Sequence, residues 1–368
     1  MVALAAFAFV IAGTHAAVGS AHPELSRQAI DFLVGRADDS DPDVRIAVIA
    51  AWGDIEGPAP QVGELLKKAG QDRDDFVRLE AGYSLFQRGD DEGRRLLMEL
   101  ARSSATPRGS LSPAQEKGLL SHTEARAQAL VRLSDMATED VVGLMEQTLS
   151  DASGAVRDAT AVALCRLDLA QAPPVAPFVR HFLDAARDQD AAVRLAAVKA
   201  LGQANLSSAR ETLVAAVGDT SSAVRAEAVA ALAAVGDESL ARLFIERLED
   251  ENPRVRSMAA GGLARIAQAP SAVVALRRLA DNGKTPDLAL RAMAGLAELG
   301  EHIDLDLAQR QLRAHDVDGR MLALEAIAAA PGDDAPQLLA RVMSKDASLR
   351  VRVAAAALLA KRLQRRRP

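Results

Sequence analysis

Aromatic side chains are scarce, 3% of 368 residues with one Trp and one Tyr, and there is a single cysteine, Cys165. One thiol excludes an internal disulfide and any cysteine-rich zinc site, and it suits a reducing compartment. So few rings leave no platform on which unpaired bases could stack or a flipped base be held. Many glycines sit singly at the ends of apolar segments, as in LGQ, VGD and ELGEH. No phosphate-cradling loop is present, so nucleotide binding has no support. The N-terminal apolar run falls short of the roughly 20 residues that span a bilayer. Positive charge is not in excess either: 44 Lys and Arg against 50 Asp and Glu give a net charge of −6, the wrong sign for neutralising a phosphate backbone. These absences set aside nucleic acid and membrane partners and leave no recognisable cofactor site.

Small aliphatic residues are abundant instead. Hydrophobic residues make up 49% of the chain, and Ala carries much of that share, which favours close packing of helix on helix. The stretch DPDVRIAVIAAWG at Asp41 returns as DDFVRLEAGYSLF at Asp74, SGAVRDATAVALC at Ser153, DAAVRLAAVKALG at Asp190, SSAVRAEAVAALA at Ser221 and NPRVRSMAAGGLA at Asn252. Weaker copies are HTEARAQALVRLS at His122, TPDLALRAMAGLA at Thr285, DVDGRMLALEAIA at Asp316 and DASLRVRVAAAAL at Asp346. Successive Val positions, from 44 to 349, lie 30 to 37 residues apart except for one interval of 48. Such a period corresponds to one supersecondary unit per copy. Between copies runs a second amphipathic segment, such as DEGRRLLMELARS or PSAVVALRRLAD. Each unit therefore reads as a helical hairpin that must stack on its neighbours to bury its apolar faces.

The pattern D-x-x-V-R-x-x-A-x-x-A-L, a loop and a second helix resembles the HEAT-repeat family, particularly its short bacterial form, often called PBS-lyase HEAT-like. The resemblance runs over essentially the whole chain. It implies an all-α fold, a right-handed α-solenoid or superhelix of about ten HEAT-like helical hairpins whose second helices line the concave side. Residues 1–36 are expected to form an incomplete N-terminal repeat, with Val2–Ala12 as its first helix. A secretory leader is the alternative, but the first basic residue is Arg27, whereas a signal peptide opens with positive charge. Residues 37–345 are expected to be the repeat array, with an insertion at 103–120 rich in Ser, Pro and Gly. Residues 346–368 are expected to form a C-terminal capping helix and basic tail, in which Lys361, Arg362, Arg365, Arg366 and Arg367 complement the helix dipole.

Each Val-Arg arginine is weighed first as chemistry: Arg45, Arg78, Arg126, Arg157, Arg194, Arg225, Arg256, Arg320 and Arg350, with Ala289 the exception. Catalysis needs one special arginine, and these nine are interchangeable. Acids precede them at Asp41, Asp43, Asp74, Asp75, Asp151, Asp190, Asp219, Asp250 and Asp346. Such an Asp can cap a helix, and an Arg reaching the next layer can pair with it bidentately. The resemblance likewise implies an inter-repeat ladder. A hydroxylase branch of the family holds iron with His-Glu dipeptides, but none of His15, His22, His122, His181, His302 and His315 precedes a Glu, so no metal is expected. Cys165 falls where other copies have Gly and reads as a packing residue. Trp52 and Tyr83 read as core.

The family includes scaffolds, bilin-lyase subunits and a metal hydroxylase, so the resemblance alone does not decide function. The leading expectation is a non-catalytic, cytoplasmic scaffold or adaptor that binds another protein along the concave surface. Its candidate contacts are Lys67, Lys68, Arg94, Arg95, Arg180, Arg210, Arg247, Arg277 and Arg278, on second helices. The alternative is a bilin-lyase-like enzyme or enzyme subunit.

Overall fold

The computed structural model describes residues 23–54, 60–103, 112–136, 138–167, 175–266, 268–281, 285–332 and 334–365. The expected helix at Val2–Ala12, His15, His22, Arg366, Arg367 and residues 104–111 of the insertion lie outside them. Among the described residues there are twenty α-helices and no strand. The first ten are α1 (Pro23–Val34), α2 (Pro42–Asp54), α3 (Pro60–Ala69), α4 (Asp75–Gln87), α5 (Asp91–Arg102), α6 (Pro113–Leu133), α7 (Glu139–Thr148), α8 (Gly154–Arg166), α9 (Ala176–Ala185) and α10 (Ala191–Ala204). The others are α11 (Arg210–Ala216), α12 (Ser222–Val235), α13 (Ala241–Arg247), α14 (Pro253–Arg265), α15 (Pro270–Ala280), α16 (Pro286–Glu298), α17 (Asp306–Gln311), α18 (Val317–Ala329), α19 (Asp334–Lys345) and α20 (Leu349–Arg365).

Local chemistry sets the helix ends. The side chains of Asp74, Asp90, Asp190, Asn252 and Asp316 each accept a bond from the amide two residues on, satisfying donors that the first turn leaves open. Helix α10 stops at Asn205, whose φ of 50° is left-handed, a conformation Asn tolerates at a helix end.

The chain divides into two compact units, Met1–Gly57 with Leu232–Pro368, and Pro58–Ala231. Each is a stack of HEAT-like hairpins. In the second unit the first helices α4, α6, α8 and α10 pack in succession, with α5 against α4 and α6, α7 against α8, and α9 against α8 and α10. In the first unit α14, α16, α18 and α20 follow one another, with α15 between α14 and α16, and α19 between α18 and α20. The cores are Ala, Val and Leu, with Trp52 and Phe244 the largest fully buried side chains.

The first unit departs from the expected ends. Helix α1 packs along α20 and touches α19, and α2 also packs on α20. Toward α20, then, α1 stands as the second helix of its hairpin and α2 as the next first helix. Buried Val351, Val353, Ala355, Ala356, Leu359, Ala360 and Leu363 cover more than half the circumference of α20, the signature of an interior helix rather than a solvent-facing cap. Arg362 is no solubilising tail residue either: it donates to the Ala328 and Gly332 carbonyls at 2.6 and 2.9 Å, closing the end of α18.

Candidate functional site

The Val-Arg arginines lie in the seams between hairpins. Arg194 makes a fork to Asp219, Nε to Oδ2 at 2.7 Å and Nη2 to Oδ1 at 2.8 Å. Its Nη1 donates to the Asp188 and Gln189 carbonyls at 2.8 and 2.9 Å, in the loop that opens its own helix. Asp219 in turn accepts from the Ser221 amide at 2.7 Å and offers its carbonyl to Arg225 at 2.9 Å. Asp219 thus ends one rung and starts the next, as Asp151 does between Arg126 and Arg157. Arg320 repeats the arrangement with Asp346, at 3.0 and 3.1 Å, and Arg126 reaches Asp151 at 2.7 Å. Arg45, Arg157, Arg225 and Arg256 donate to the same loop carbonyls, five and six residues back. The Arg194 fork holds the Asp219 carboxyl below its ordinary range against the opposing push of burial. Burial pushes Asp151 up, but Arg126 and the Ser153 amide outweigh it and hold that carboxyl low.

Three copies differ. In the last one the register is shifted by two residues: the Arg352 amide bonds the Ser348 carbonyl, as the Arg320 amide bonds Asp316, so Val351-Arg352 hold the Val-Arg place. Arg350 is therefore not a rung; its Nη1 lies 3.9 Å from Asp318 and its Nε is buried without a partner. The alternation of Val and Arg in LRVRV makes the two registers indistinguishable by pattern. Arg78 donates to the Asp72 carbonyl at 2.7 Å, but its carboxylate is Asp75 of its own helix. The next hairpin has no loop Asp to offer, because the insertion continues as helix from Pro113 through the usual turn. Arg126 accordingly reaches back to the Ala101 carbonyl at 3.3 Å.

At this interrupted seam His122 Nδ1 lies 2.8 Å from Asp75 Oδ2, and its Nε2 lies 3.3 Å from Ser103 Oγ. The order is that of nucleophile, base and acid. The Ser103 hydroxyl, however, donates to the Leu100 carbonyl at the shorter distance of 2.6 Å, so its proton is committed to closing α5. His122 and Asp75 are largely buried, 16% and 17% exposed, and their contact stands where the other seams have Arg and Asp. A fluorophosphonate probe is accordingly expected to label the protein no more than its Ser103→Ala variant, while His122→Ala lowers stability by about 1–2 kcal/mol in urea unfolding. Labelling lost in both variants would instead make Ser103 a nucleophile. Sequence reading weighed His122 only as a metal ligand; the available signal was its place at the helix-start position of an insertion-bearing copy.

The second-helix cations are mostly engaged within the chain. Lys67 pairs with Asp90 at 3.2 Å, Arg94 with Asp140, and Arg277 with Glu301, each tying a second helix to the start of the following one. Arg95 pairs with Glu92 of its own helix, and Arg247 lies 3.8 Å from Asp250. Lys68, Arg180 and Arg278 are exposed, and Arg210 is half-buried. A network unforeseen from sequence joins α4, α6 and α8. There Arg132 lies over the Tyr83 ring at 4.5 Å and bonds Glu80 at 2.7 Å, while Asp135 takes the Tyr83 hydroxyl at 3.1 Å and Arg166 at 2.7 Å. Burial first, then Asp135, raises the Tyr83 phenol.

Cys165 is buried, and burial pushes its thiol up to about 11, the opposite of an activated nucleophile. Among the described residues no group of three or more His, Cys, Asp or Glu could hold a metal ion. No described helix is long and apolar enough to cross a membrane.

Among curated protein sequences none matches the chain. Human deoxyhypusine hydroxylase in complex with glycerol is similar at 19% identity over 74% of this chain and 96% of its own, with a TM-score of 0.33. The complex of CpcE and CpcF of phycocyanin lyase from Nostoc sp. is similar at 19% identity over 72% and 94%, with a TM-score of 0.39. Kap95p, from a complex with RanGDP, is similar at 15% identity over 94% and 52%, with a TM-score of 0.34. Similarity this low carries no argument about this chain. A family model described as HEAT repeats matches residues 14–86, 179–251 and 223–297, more than half of the chain. With the stacked hairpins and their recurring Val-Arg seams, that match makes the chain a member of the HEAT-repeat family.

Proposed function

We propose that the protein is a non-catalytic scaffold or adaptor of the cytoplasm that binds another protein through the outward faces of its second helices. The observation that carries this reading is where the reactive groups go: the Val-Arg arginines and their aspartates bond one another or loop carbonyls inside the seams, whereas Lys68, Arg95, Arg180 and Arg278 stay exposed on α3, α5, α9 and α15. Solvent-exposed cations suit a partner of opposite charge, which gains orientation and association rate from them. The lone buried thiol suits a reducing compartment.

The test is affinity capture from native cells with the wild-type chain and with Lys68→Glu/Arg95→Glu/Arg180→Glu. The wild type is expected to recover one protein in stoichiometric amount and the triple variant at least tenfold less. Equal recovery by both, or a coloured bound chromophore in place of a protein, would overturn the proposal.

A further inference from the structure

The second helices of the Leu232–Pro368 part carry a basic run that none of the ion pairs described above uses. Leu276 of α15, Ala308 of α17 and Leu339 of α19 are fully buried, and each is followed two residues later by an arginine, Arg278, Arg310 and Arg341. Two residues turn a helix through about 200°, so a side chain at that place points away from the core. All three arginines are exposed accordingly. Arg313, in the turn that closes α17, and Lys345, one turn past Arg341 on α19, extend the run and are exposed as well. Among the described residues the side chains of these five cations have no acidic partner, whereas neighbouring Arg277 is taken by Glu301. Helix α15 packs on α16, α17 on α16 and α18, and α19 on α18 and α20, so the run crosses three successive hairpins.

The run is bounded by acids. At the same place on α13, two residues after buried Phe244, stands Glu246, which pairs with Arg242. On α1, which packs along α20 and touches α19, Asp31 stands two residues after buried Ala29. Free positive charge is thus confined to three hairpins of a chain whose net charge is −6. We infer that the α15, α17 and α19 face docks a short acidic segment of a partner protein, laid across the three helices so that its carboxylates meet Arg278, Arg310, Arg313 and Arg341. A guanidinium fork takes a carboxylate bidentately, and these cations have no existing pair to break first. Neighbouring helices stand about 8–10 Å apart and extended chain rises about 3.3 Å per residue, so a segment of about ten residues crosses the run. The bounding acids repel a longer polyanion, which disfavours nucleic acid as the occupant. Val274, one turn before Arg278 and 68% exposed, adds an apolar contact that a peptide side chain can cover. The inference rests on the scaffold reading for the partner's being a protein, and it adds the chemistry of the segment recognised.

The experiment titrates the full chain against a fluorescein-labelled peptide of about ten aspartates and glutamates with one leucine at its end, read by fluorescence anisotropy. The wild type is expected to bind it, and less tightly as salt rises, because exposed charges are screened. Arg310→Glu/Arg341→Glu is expected to bind at least tenfold more weakly, and the neutral pair Arg310→Gln/Arg341→Gln at least threefold more weakly. Lys68→Glu/Arg95→Glu, which reverses as many charges on α3 and α5, is expected to stay within about twofold of the wild type. All four positions are exposed, so the variants are expected to melt with the wild type. Three results would each overturn the inference: no binding by the wild type, equal loss in the two charge-reversed variants, or equally tight binding of a single-stranded oligonucleotide of the same charge. Capture of a cellular partner by a chain that ignores the peptide sinks this inference and leaves the scaffold reading standing. Peptide binding that shows the expected losses, without any captured partner, does the reverse.

Discussion

Replacing Arg320 with Ala is expected to destabilise the Leu232–Pro368 part of the fold by about 3 kcal/mol, the size of effect seen when one partner of a buried ion pair is removed. The side chains of Arg320 and Asp346 are 10% and 8% exposed. The guanidinium serves four acceptors at once, both Asp346 oxygens and the Ala314 and His315 carbonyls. Truncation therefore strands a carboxylate and two loop carbonyls where water reaches them poorly. Asp346→Ala is expected to cost less, because the arginine keeps its carbonyl bonds. Adding Asp346→Ala to Arg320→Ala should recover part of the loss, giving a coupling of at least about 1.5 kcal/mol in a double-mutant cycle. A pair whose two single effects simply add would show that the fork contributes nothing. Acid provides a second readout on the equivalent rungs. Asp219 and Asp151 are held below the ordinary carboxylate range in the folded chain, so their contribution is complete above about pH 4 and is lost as pH falls through the depressed folded values. Arg194→Ala and Arg126→Ala are thus expected to flatten the acid limb of the stability curve below pH 4 and to leave its neutral limb parallel to the wild type.

The parts of this architecture that repeat were legible in the sequence, because ten noisy copies average out what one copy obscures. The hairpins, their period and the placing of arginine beside aspartate all follow from D-x-x-V-R read in register. What escaped were features that occur once. LRVRV satisfies the motif at either arginine, and only the Ser348 carbonyl bonded by the Arg352 amide fixes the register. The Ser, Pro and Gly of the insertion do not announce a helix, yet Ser112 and Gln115 form a complete capping box that starts α6 early and removes the turn where Arg126 would find its carbonyls. That in turn leaves His122 to bridge Asp75 and Ser103. The junction of α1 with α20 was beyond pattern reading for another reason. A repeat motif says that each hairpin needs a neighbour, and it does not say that the neighbour is found at the other end of the chain. The all-round apolar character of VAAAALLA was the available sign, since an exposed terminal repeat requires a polar outer face.

A single methyl group should test the close approach of α4 and α5. Gly93 of α5 lies so near α4 that a Cβ built on it would stand 2.3 Å from the Phe86 amide nitrogen and 2.4 Å from the Gly82 carbonyl oxygen. Both are backbone atoms inside a helix and cannot rotate aside, so Gly93→Ala has to push α4 and α5 apart. Overpacking of this kind costs about 1–3 kcal/mol and more where the obstacle is rigid. Helix propensity acts the other way, favouring Ala over Gly by about 1 kcal/mol within a helix. The rigid obstacle wins, and a net loss of about 1–2 kcal/mol is expected, with α4 and α5 the first helices to lose amide-exchange protection. The same change at Gly118 supplies the control. It lies in the exposed early turns of α6 with nothing within 4 Å of the added carbon, so only propensity remains, and Gly118→Ala is expected to stabilise the chain by about 0.5–1 kcal/mol. Opposite signs for one substitution at two helical glycines would tie the loss at Gly93 to the crossing rather than to the residue type. A neutral Gly93→Ala would mean that α4 and α5 pack farther apart than the Gly82–Gly93 contact requires.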